Sequence, residues 1–185
     1  TMQWWDDLWL NEAFATWMAD KIVDQWRPDY DRGAARIEAR GDAIESDALV
    51  SARQIREPIT SRGDIFKAFD RITYQKGATV IAMFEGWVGS DAFRNGVRGY
   101  IAAHEDGSAT SADFLASIAQ ASNKPVTPAF NTFLNQNGVP QVDVRLRCAA
   151  RDAQLEMTQH RLDLVGAAKH AAQQWQIPVC VRYGR

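Results

Sequence analysis

The sequence has little of the features that mark several specialised classes of protein. Its two cysteines, Cys148 and Cys180, are too few for the disulfide framework of a small secreted domain or for a zinc knuckle. No apolar run reaches the roughly 18 residues that indicate a membrane-spanning helix. The net charge of -2 gives no basic surface for nucleic acid or for an anionic membrane. We therefore expect no nucleic-acid partner and no membrane segment in this chain.

Both cysteines lie in apolar segments whose side chains alternate as in a strand. Leu146 stands two residues before Cys148, and Val179 and Val181 flank Cys180. We expect two buried thiols rather than a disulfide bridge, which leaves the redox compartment open.

Histidine is also scarce, with one residue each at positions 104, 160 and 170. No two histidines are four residues apart, so the sequence contains no His-Glu-x-x-His zinc-binding helix. His104 is followed shortly by Gly107 and Ser108, and we interpret it as a histidine at the end of a helix.

The composition is that of an ordinary globular protein, with 46% hydrophobic and 24% charged residues among 185. This supply of apolar residues can bury a core without disulfides or metals. The length allows one domain, or one domain and part of another. The first residues, TMQWWDD, resemble neither a signal peptide nor a natural start. We therefore expect a piece of a longer protein, and the sequence predicts no localisation.

Apolar residues recur at helical spacing up to about residue 137. Thr110 and Asp113 have the spacing of a capping box, and Pro128 suits the first position of a helix that begins at Thr127. An irregular segment is expected over residues 50–62. The first predicted helix opens at Asp6 or Asp7 and runs to Trp26, and the others cover residues 30–49, 64–88, 90–104, 111–121 and 127–136.

After Pro140 the apolar period changes to two. The pattern predicts a half-buried strand at 142–148 and further strands at 155–159 and 176–183. Three strands make too little sheet to be stable alone, so we expect the opening of an all-β domain. The sequence therefore predicts a mainly α chain with a helical part at 1–137 and a β part at 138–185.

Residues 4–17 read WWDDLWLNEAFATW. By itself, Glu12 on an amphipathic helix would be a solvated carboxylate. The whole segment, however, resembles the signature of the membrane-alanyl-aminopeptidase (gluzincin) family of zinc aminopeptidases. The resemblance implies that Glu12 is a zinc ligand, and that two histidines of an upstream His-Glu-x-x-His helix are the others. Ala13 stands where the family usually has glycine, and we expect its methyl group near the metal-binding face.

Residues 72–78 read ITYQKGA and resemble a second motif of the same family. By itself, Tyr74 would more often be a core residue with a satisfied hydroxyl group. The resemblance implies instead that the Tyr74 hydroxyl donates a hydrogen bond to the oxyanion that forms during peptide hydrolysis. Around Arg53 the sequence departs from a Ser-His-Pro-like element of the family, so no substrate contact is assigned there.

The later segments FLNQNGVP (133–140) and WQIPV (175–179) are similar to the family's hinge and to a strand of its β-sandwich. The resemblance thus implies the C-terminal helical part of a thermolysin-like catalytic domain at 1–137. The first strands of a truncated β-sandwich are implied at 138–185.

The activity implied by the resemblance is zinc-dependent removal of N-terminal residues from peptides with a free N-terminus. This chain would supply one of three zinc ligands and no general base, so we expect it to bind no catalytic zinc and to be inactive alone. The alternative is a non-catalytic relative that serves as a protein-interaction scaffold. We also expect apolar surface at Trp4, Trp5, Trp9 and the strands after Pro140, with self-association through these faces.

Overall fold

The computed structural model describes residues 1–30, 32–148, 153–164 and 172–182. In this part of the chain, seven α-helices precede one β-hairpin, so the chain is mainly α, as predicted. None of the described helices combines the length and the apolar character that crossing a membrane requires. The elements are a 3-10 turn (Trp5–Asp7), α1 (Leu8–Trp26), α2 (Gly33–Asp47), α3 (Arg62–Lys67), a π-helical turn (Ile72–Lys76), α4 (Gly77–Val88), α5 (Ser90–Ala103), α6 (Ser111–Ser122), α7 (Val126–Leu134), β1 (Pro140–Cys148) and β2 (Ala153–Arg161).

The core lies between α1 and the helices from α4 to α7. Its largest members are fully buried aromatic side chains, one or more from each of these helices. The Phe84 and Phe130 ring centroids are 4.5 Å apart, and the Trp9 ring packs on Phe130 at 5.8 Å. Burial of several aromatic side chains, at about 1.5–3 kcal/mol each, supplies most of the driving force that holds these helices together.

Most of the predicted helices are confirmed, with shifts at their ends. α2 is shorter than the predicted 30–49, and α7 begins one residue before Thr127 and ends at Leu134. The predicted capping box is present. The Thr110 hydroxyl accepts a hydrogen bond from the Asp113 backbone N–H, and the Asp113 carboxylate accepts one from the Thr110 backbone N–H at 2.8 Å.

The prediction of one continuous helix over 64–88 is wrong. α3 ends at Lys67, and the chain starts a new helical segment after Asp70. The Asp70 carboxylate accepts hydrogen bonds from the backbone N–H groups of Ile72 (3.0 Å) and Thr73 (3.1 Å). Because this side chain caps a new helix start, the preceding helix does not continue through it.

The β part is a two-stranded antiparallel hairpin in which Val144 lies opposite Met157. The predicted half-buried strand is wrong in its burial, because Val144 and Leu146 are exposed. Cys148 and Cys180 are exposed as well, contrary to expectation. Residues 176–182 of the predicted third strand form no strand, and Tyr183 lies outside the described residues. No described element packs over the part of the hairpin that extends past the helical core. Its apolar side chains there are therefore exposed to solvent.

The tryptophans of the first motif do not share one environment. Trp4 and Trp5 are exposed, as expected. Trp9 is buried in the core, so the expectation of an exposed Trp9 is wrong. The reason is its direction on α1, which turns the indole toward Phe130.

α1 and α4 approach each other closely at Ala13 and Gly77. Ala13 is fully buried, and a Cβ atom built on Gly77 would lie 2.6 Å from the Ala13 Cβ. The Ala13 methyl group therefore packs on Gly77, in the motif that also contains Tyr74. Farther along the same pair of helices, the Trp17 indole N–H donates to Glu85 at 3.0 Å, and Lys21 forms an ion pair with Glu85.

We predict that Gly77→Ala lowers the free energy of unfolding by about 1–3 kcal/mol, because the added methyl group has no space beside Ala13. Urea-induced unfolding followed by circular dichroism measures this loss. The A13G/G77A double variant restores the space and keeps the number of helical glycines unchanged, so most of the loss should disappear. The control is Gly86→Ala on the same helix, where a Cβ has open space and stability should rise slightly. Equal effects of G77A and G86A would contradict the close approach.

Candidate active site

Glu12 lies in the second turn of α1, between side chains that fix the position of the helix. The start of the helix is held by Asp7, whose buried carboxylate accepts hydrogen bonds from the Ser111 backbone N–H (2.8 Å) and from Arg56 Nε (2.9 Å). The next residue, Ala13, is fully buried against Gly77. Glu12 itself is half-buried, so its carboxylate sits at a fixed place on the edge of the helical core.

Tyr74 lies in the π-helical turn and faces Glu12. Burial raises the pKa of the Tyr74 hydroxyl, and a hydrogen bond with the Glu12 carboxylate and its negative charge raise it further. The two site residues expected from separate motifs therefore meet in the structure, one from α1 and one from the turn before α4. Their side chains form a proton donor and a carboxylate in contact at a partly exposed surface.

The turn that carries Tyr74 is π-helical over Ile72–Lys76. The Gly77 backbone N–H donates to the Ile72 carbonyl oxygen, five residues back. Such single π turns place one more residue in a turn than an α-helix does, and they often occur at functional sites. The neighbours Ile72, Thr73 and Lys76 are buried, whereas Tyr74 is only half-buried. The turn thus leaves Tyr74 directed away from the core.

Lys76, from the same motif, forms a buried ion pair with Asp47 at the end of α2. Lys76 Nζ lies 2.7 Å from Asp47 Oδ2, and the two side chains are 10% and 2% exposed. The other carboxylate oxygen, Oδ1, accepts a hydrogen bond from the Gly138 backbone N–H at 2.8 Å. Burial lowers the pKa of the Lys76 ammonium group, and the Asp47 carboxylate opposes this shift. The motif is thereby tied to α2 and to the residue that leads into β1.

Glu12 is the one residue of this chain that was expected to bind a metal. No group of three or more His, Cys, Asp or Glu side chains in that part of the chain is placed to hold a metal ion. A catalytic zinc takes three protein ligands, so these residues do not by themselves fit one. The Glu12 carboxylate forms no ion pair with any lysine or arginine among the described residues, so it is not neutralised by a neighbouring cation there.

The histidines lie apart from Glu12. His104 directly follows the last residue of α5, in agreement with its interpretation as a histidine at a helix end. His160 is in β2, with Nδ1 3.5 Å from the Asp143 carboxylate on β1. His170 falls outside the described residues.

Three residues that support the site, Arg53, Asp70 and Asp47, were not identified from the sequence. Arg53, to which no role was assigned, forms an ion pair with Asp70 and a hydrogen bond with Thr73 beside Tyr74. Asp47 neutralises Lys76. Asp70 carries the one local signal that could have been used, because aspartate shortly before a helical motif is typical of an N-cap. Arg53 and Asp47 carry no such signal, since their partners are remote in the sequence.

Comparison with known proteins connects this geometry to a family. Residues 1–133 match the Peptidase family M1 domain. "Probable aminopeptidase 2" of Sulfurisphaera tokodaii is 33% identical over 180 residues, which cover 97% of this chain and 22% of that protein. "Tricorn protease-interacting factor F2" of Thermoplasma volcanium is 33% identical over 183 residues, 98% of this chain and 22% of that protein.

A plant relative shows the same pattern. "Aminopeptidase M1-A" of Oryza sativa subsp. japonica is 32% identical over 188 residues, which span 100% of this chain and 21% of that protein. The chain thus spans about a fifth of the length of the curated relatives that it matches.

We predict that Lys76→Met lowers the free energy of unfolding by about 3–5 kcal/mol, because it leaves the Asp47 carboxylate buried without its cation. Chemical unfolding curves of the two proteins measure the difference. Lys67→Met is the matched control. Lys67 also neighbours an aspartate, Asp64, but at 3.9 Å and with 79% of the lysine side chain exposed. Its loss should change stability by about 0.5 kcal/mol or less. Similar losses in both variants would contradict the importance of the buried pair.

Proposed function

This chain belongs to peptidase family M1, and from that premise we propose that it forms part of a zinc-dependent aminopeptidase. The proposed substrates are peptides with a free N-terminus, from which the whole protein removes the first residue. Glu12 is proposed as one ligand of the catalytic zinc, and Tyr74 as a hydrogen-bond donor to the reacting carbonyl group.

One observation carries the proposal, namely that Glu12 and Tyr74 are in contact. The two residues stand in different motifs of the sequence, and each was expected at the active site for its own reason. Their contact brings a carboxylate ligand and an O–H donor to one place, as metal-assisted hydrolysis of a peptide requires. Neither residue is needed there to fill the core, because both are only half-buried.

The proposed mechanism assigns these two side chains separate tasks. A zinc ion completed by further ligands would supply Lewis acidity toward the scissile carbonyl group and an attacking water molecule. Glu12 holds its place through the fixed start of α1 and contributes negative charge to the metal site. Tyr74 donates its hydroxyl proton in a hydrogen bond to the carbonyl oxygen as negative charge develops there. The reaction needs no covalent intermediate with this chain.

A non-catalytic scaffold is the rival proposal, and no feature of the described residues favours it. A scaffold has no use for a carboxylate and a tyrosine hydroxyl held together at a partly exposed surface. Two of the three relatives named above are also called aminopeptidases.

We further propose a division into a helical part of the catalytic domain at 1–137 and the start of a β-sandwich at 138–185. The family match over residues 1–133 and the change from helices to the hairpin at Pro140 support this boundary. The exposed apolar side chains Val144 and Leu146 suit a strand that packs against a second sheet. In the isolated chain, the same surface should promote self-association.

Tyr74→Phe in the whole enzyme should lower kcat by roughly 10²–10³-fold and leave KM nearly unchanged, since the hydrogen bond acts mainly in the transition state. Steady-state kinetics with an aminoacyl chromogenic substrate measures both parameters. Tyr30→Phe is the control, because Tyr30 is exposed beyond the end of α1. A rise in KM alone would make Tyr74 a substrate-binding residue and refute the assigned role.

The 185-residue chain by itself should bind no catalytic zinc and hydrolyse no aminoacyl substrate. Metal affinity falls steeply when ligands are missing, and Glu12 supplies one ligand of three. Atomic absorption on protein purified without chelators measures bound zinc, and the chromogenic assay measures turnover. The E12Q variant provides the background level for both measurements. Stoichiometric zinc in the unaltered chain, absent from E12Q, would show that other residues of this chain complete the site.

A further inference from the structure

Two of the three nitrogen atoms of the Arg53 guanidinium group, Nε and Nη2, donate hydrogen bonds to the segment that carries Tyr74. Nε donates to Asp70 Oδ2 at 3.0 Å, and Nη2 donates to the other Asp70 carboxylate oxygen and to the Ala68 carbonyl at 3.2 Å. Nη2 also reaches the Thr73 hydroxyl oxygen at 2.6 Å. The Arg53 side chain is 16% exposed, so these bonds are partly shielded from water. Such a two-pronged arginine–carboxylate pair has a fixed geometry that a single ammonium group cannot reproduce.

The same guanidinium group is anchored on its own side by the backbone. Nη1 donates to the carbonyl oxygens of Gln54 at 2.9 Å and Ile55 at 3.2 Å. The Arg56 backbone N–H, next along the chain, donates to the Leu134 carbonyl at the end of α7 at 3.0 Å. Arg53 thus connects a segment fixed on the helical core to the turn of Tyr74.

Asp70 and Thr73 transmit this connection to the π-helical turn. The Asp70 carboxylate that binds Arg53 also caps the backbone N–H groups of Ile72 and Thr73. The Asp70 carbonyl accepts a hydrogen bond from the Tyr74 backbone N–H at 3.1 Å. Three consecutive residues, ending at Tyr74, therefore take their backbone positions from the residue that Arg53 holds.

We propose that Arg53 is a positioning residue for Tyr74, and that its clamp on Asp70 and Thr73 keeps the π-helical turn in the register that aims the Tyr74 hydroxyl at Glu12. An α-helical turn contains one residue fewer than a π-helical turn. If the turn relaxed to α-helical hydrogen bonds, the direction of the Tyr74 side chain relative to α4 would therefore change by about 100°, the rotation per residue of a helix. Tyr74 would then leave the contact with Glu12 even in a folded protein. The contacts of Arg53 thus determine the direction of the Tyr74 side chain as well as contributing to the stability of the fold.

This inference about position does not depend on the proposed function, whereas its consequence for the reaction rate rests on it. The loss of Arg53 should lower kcat of the whole enzyme by up to about 10²-fold with little change in KM, because misplacement of a catalytic group by about 1 Å has effects of this size. The positional part is therefore tested on the chain itself, without activity.

The test uses fluorine NMR on the 185-residue chain labelled with 3-fluorotyrosine. The chain has four tyrosines, and comparison with Y74F identifies the Tyr74 resonance. E12Q should shift this resonance, because it removes the charge next to the hydroxyl group. In R53A, the resonance should no longer respond to E12Q, since Tyr74 has turned away. A full response to E12Q in folded R53A would overturn the proposal.

Two further variants separate geometry from charge and from neighbourhood. R53K keeps the positive charge but cannot bridge Asp70 and Thr73 together, so it should also weaken the response to E12Q. R71A removes a neighbouring arginine whose pair with Asp42 is exposed and 3.2 Å long, and it should keep the full response. Equal behaviour of R53A and R71A would refute the specific role of Arg53.

A folding check keeps the result interpretable. Circular dichroism and the resonances of the other tyrosines show whether R53A is folded. If it is not, T73V takes its place, because it deletes the hydroxyl that Arg53 binds with little change in volume. A reduced response to E12Q in T73V then supports the proposal, and an undiminished response contradicts it.

Kinetics of the whole enzyme distinguish the positioning of Tyr74 by Arg53 from the role of Tyr74 in the reaction. If the NMR response is lost in R53A while kcat stays unchanged, the positioning stands and the catalytic role proposed for Tyr74 fails. If Y74F lowers kcat as predicted while the NMR response persists in R53A, the catalytic role stands and the positioning fails.

Discussion

Glu12 and Tyr74 can meet only because α1 and the beginning of α4 lie very close together. At their contact, a single methyl group separates the two backbones. Ala13 and Gly77 set that distance, since no Cβ atom fits at Gly77 beside the Ala13 methyl group. Ala13 directly follows Glu12, and Gly77 lies three residues after Tyr74. The spacing of the site is thus a property of packing, and the polar chemistry is added to a geometry that the core has already fixed.

The tyrosine motif divides its residues between support and chemistry. Thr73 and Lys76 point into the protein and bind Arg53 and Asp47, while Tyr74 alone faces Glu12. The two ion pairs hold the turn at both ends, one from the loop after α2 and one from the last residue of α2. A short non-standard helical turn is costly for a chain to maintain, and such external supports explain why it persists here.

The sequence predicted the helices well, because their apolar period is local information, and it placed Glu12 and Tyr74 through motifs. It did not predict the interruption before Ile72, because the apolar spacing continues through this segment. The interruption depends on the Asp70 side chain, which caps the backbone N–H groups of Ile72 and Thr73. Arg53 and Asp47 were missed because their partners are distant along the chain. The burial of Trp9 and the exposure of Val144 were also misjudged, since a periodic pattern shows which residues share a face and not what covers that face.

The contacts of Gly138 restrict how the molecule can bend. Gly138 has a φ of 93°, and its N–H and C=O groups bind Asp47 and Lys76, the latter at 3.5 Å. Rotation at this glycine would pull the backbone away from a buried charge pair and admit water to it, at a cost of several kcal/mol. The start of the first strand therefore moves together with the π-helical turn as one rigid unit. Any hinge between the helical part and the strands therefore has to lie after Gly138 in the chain.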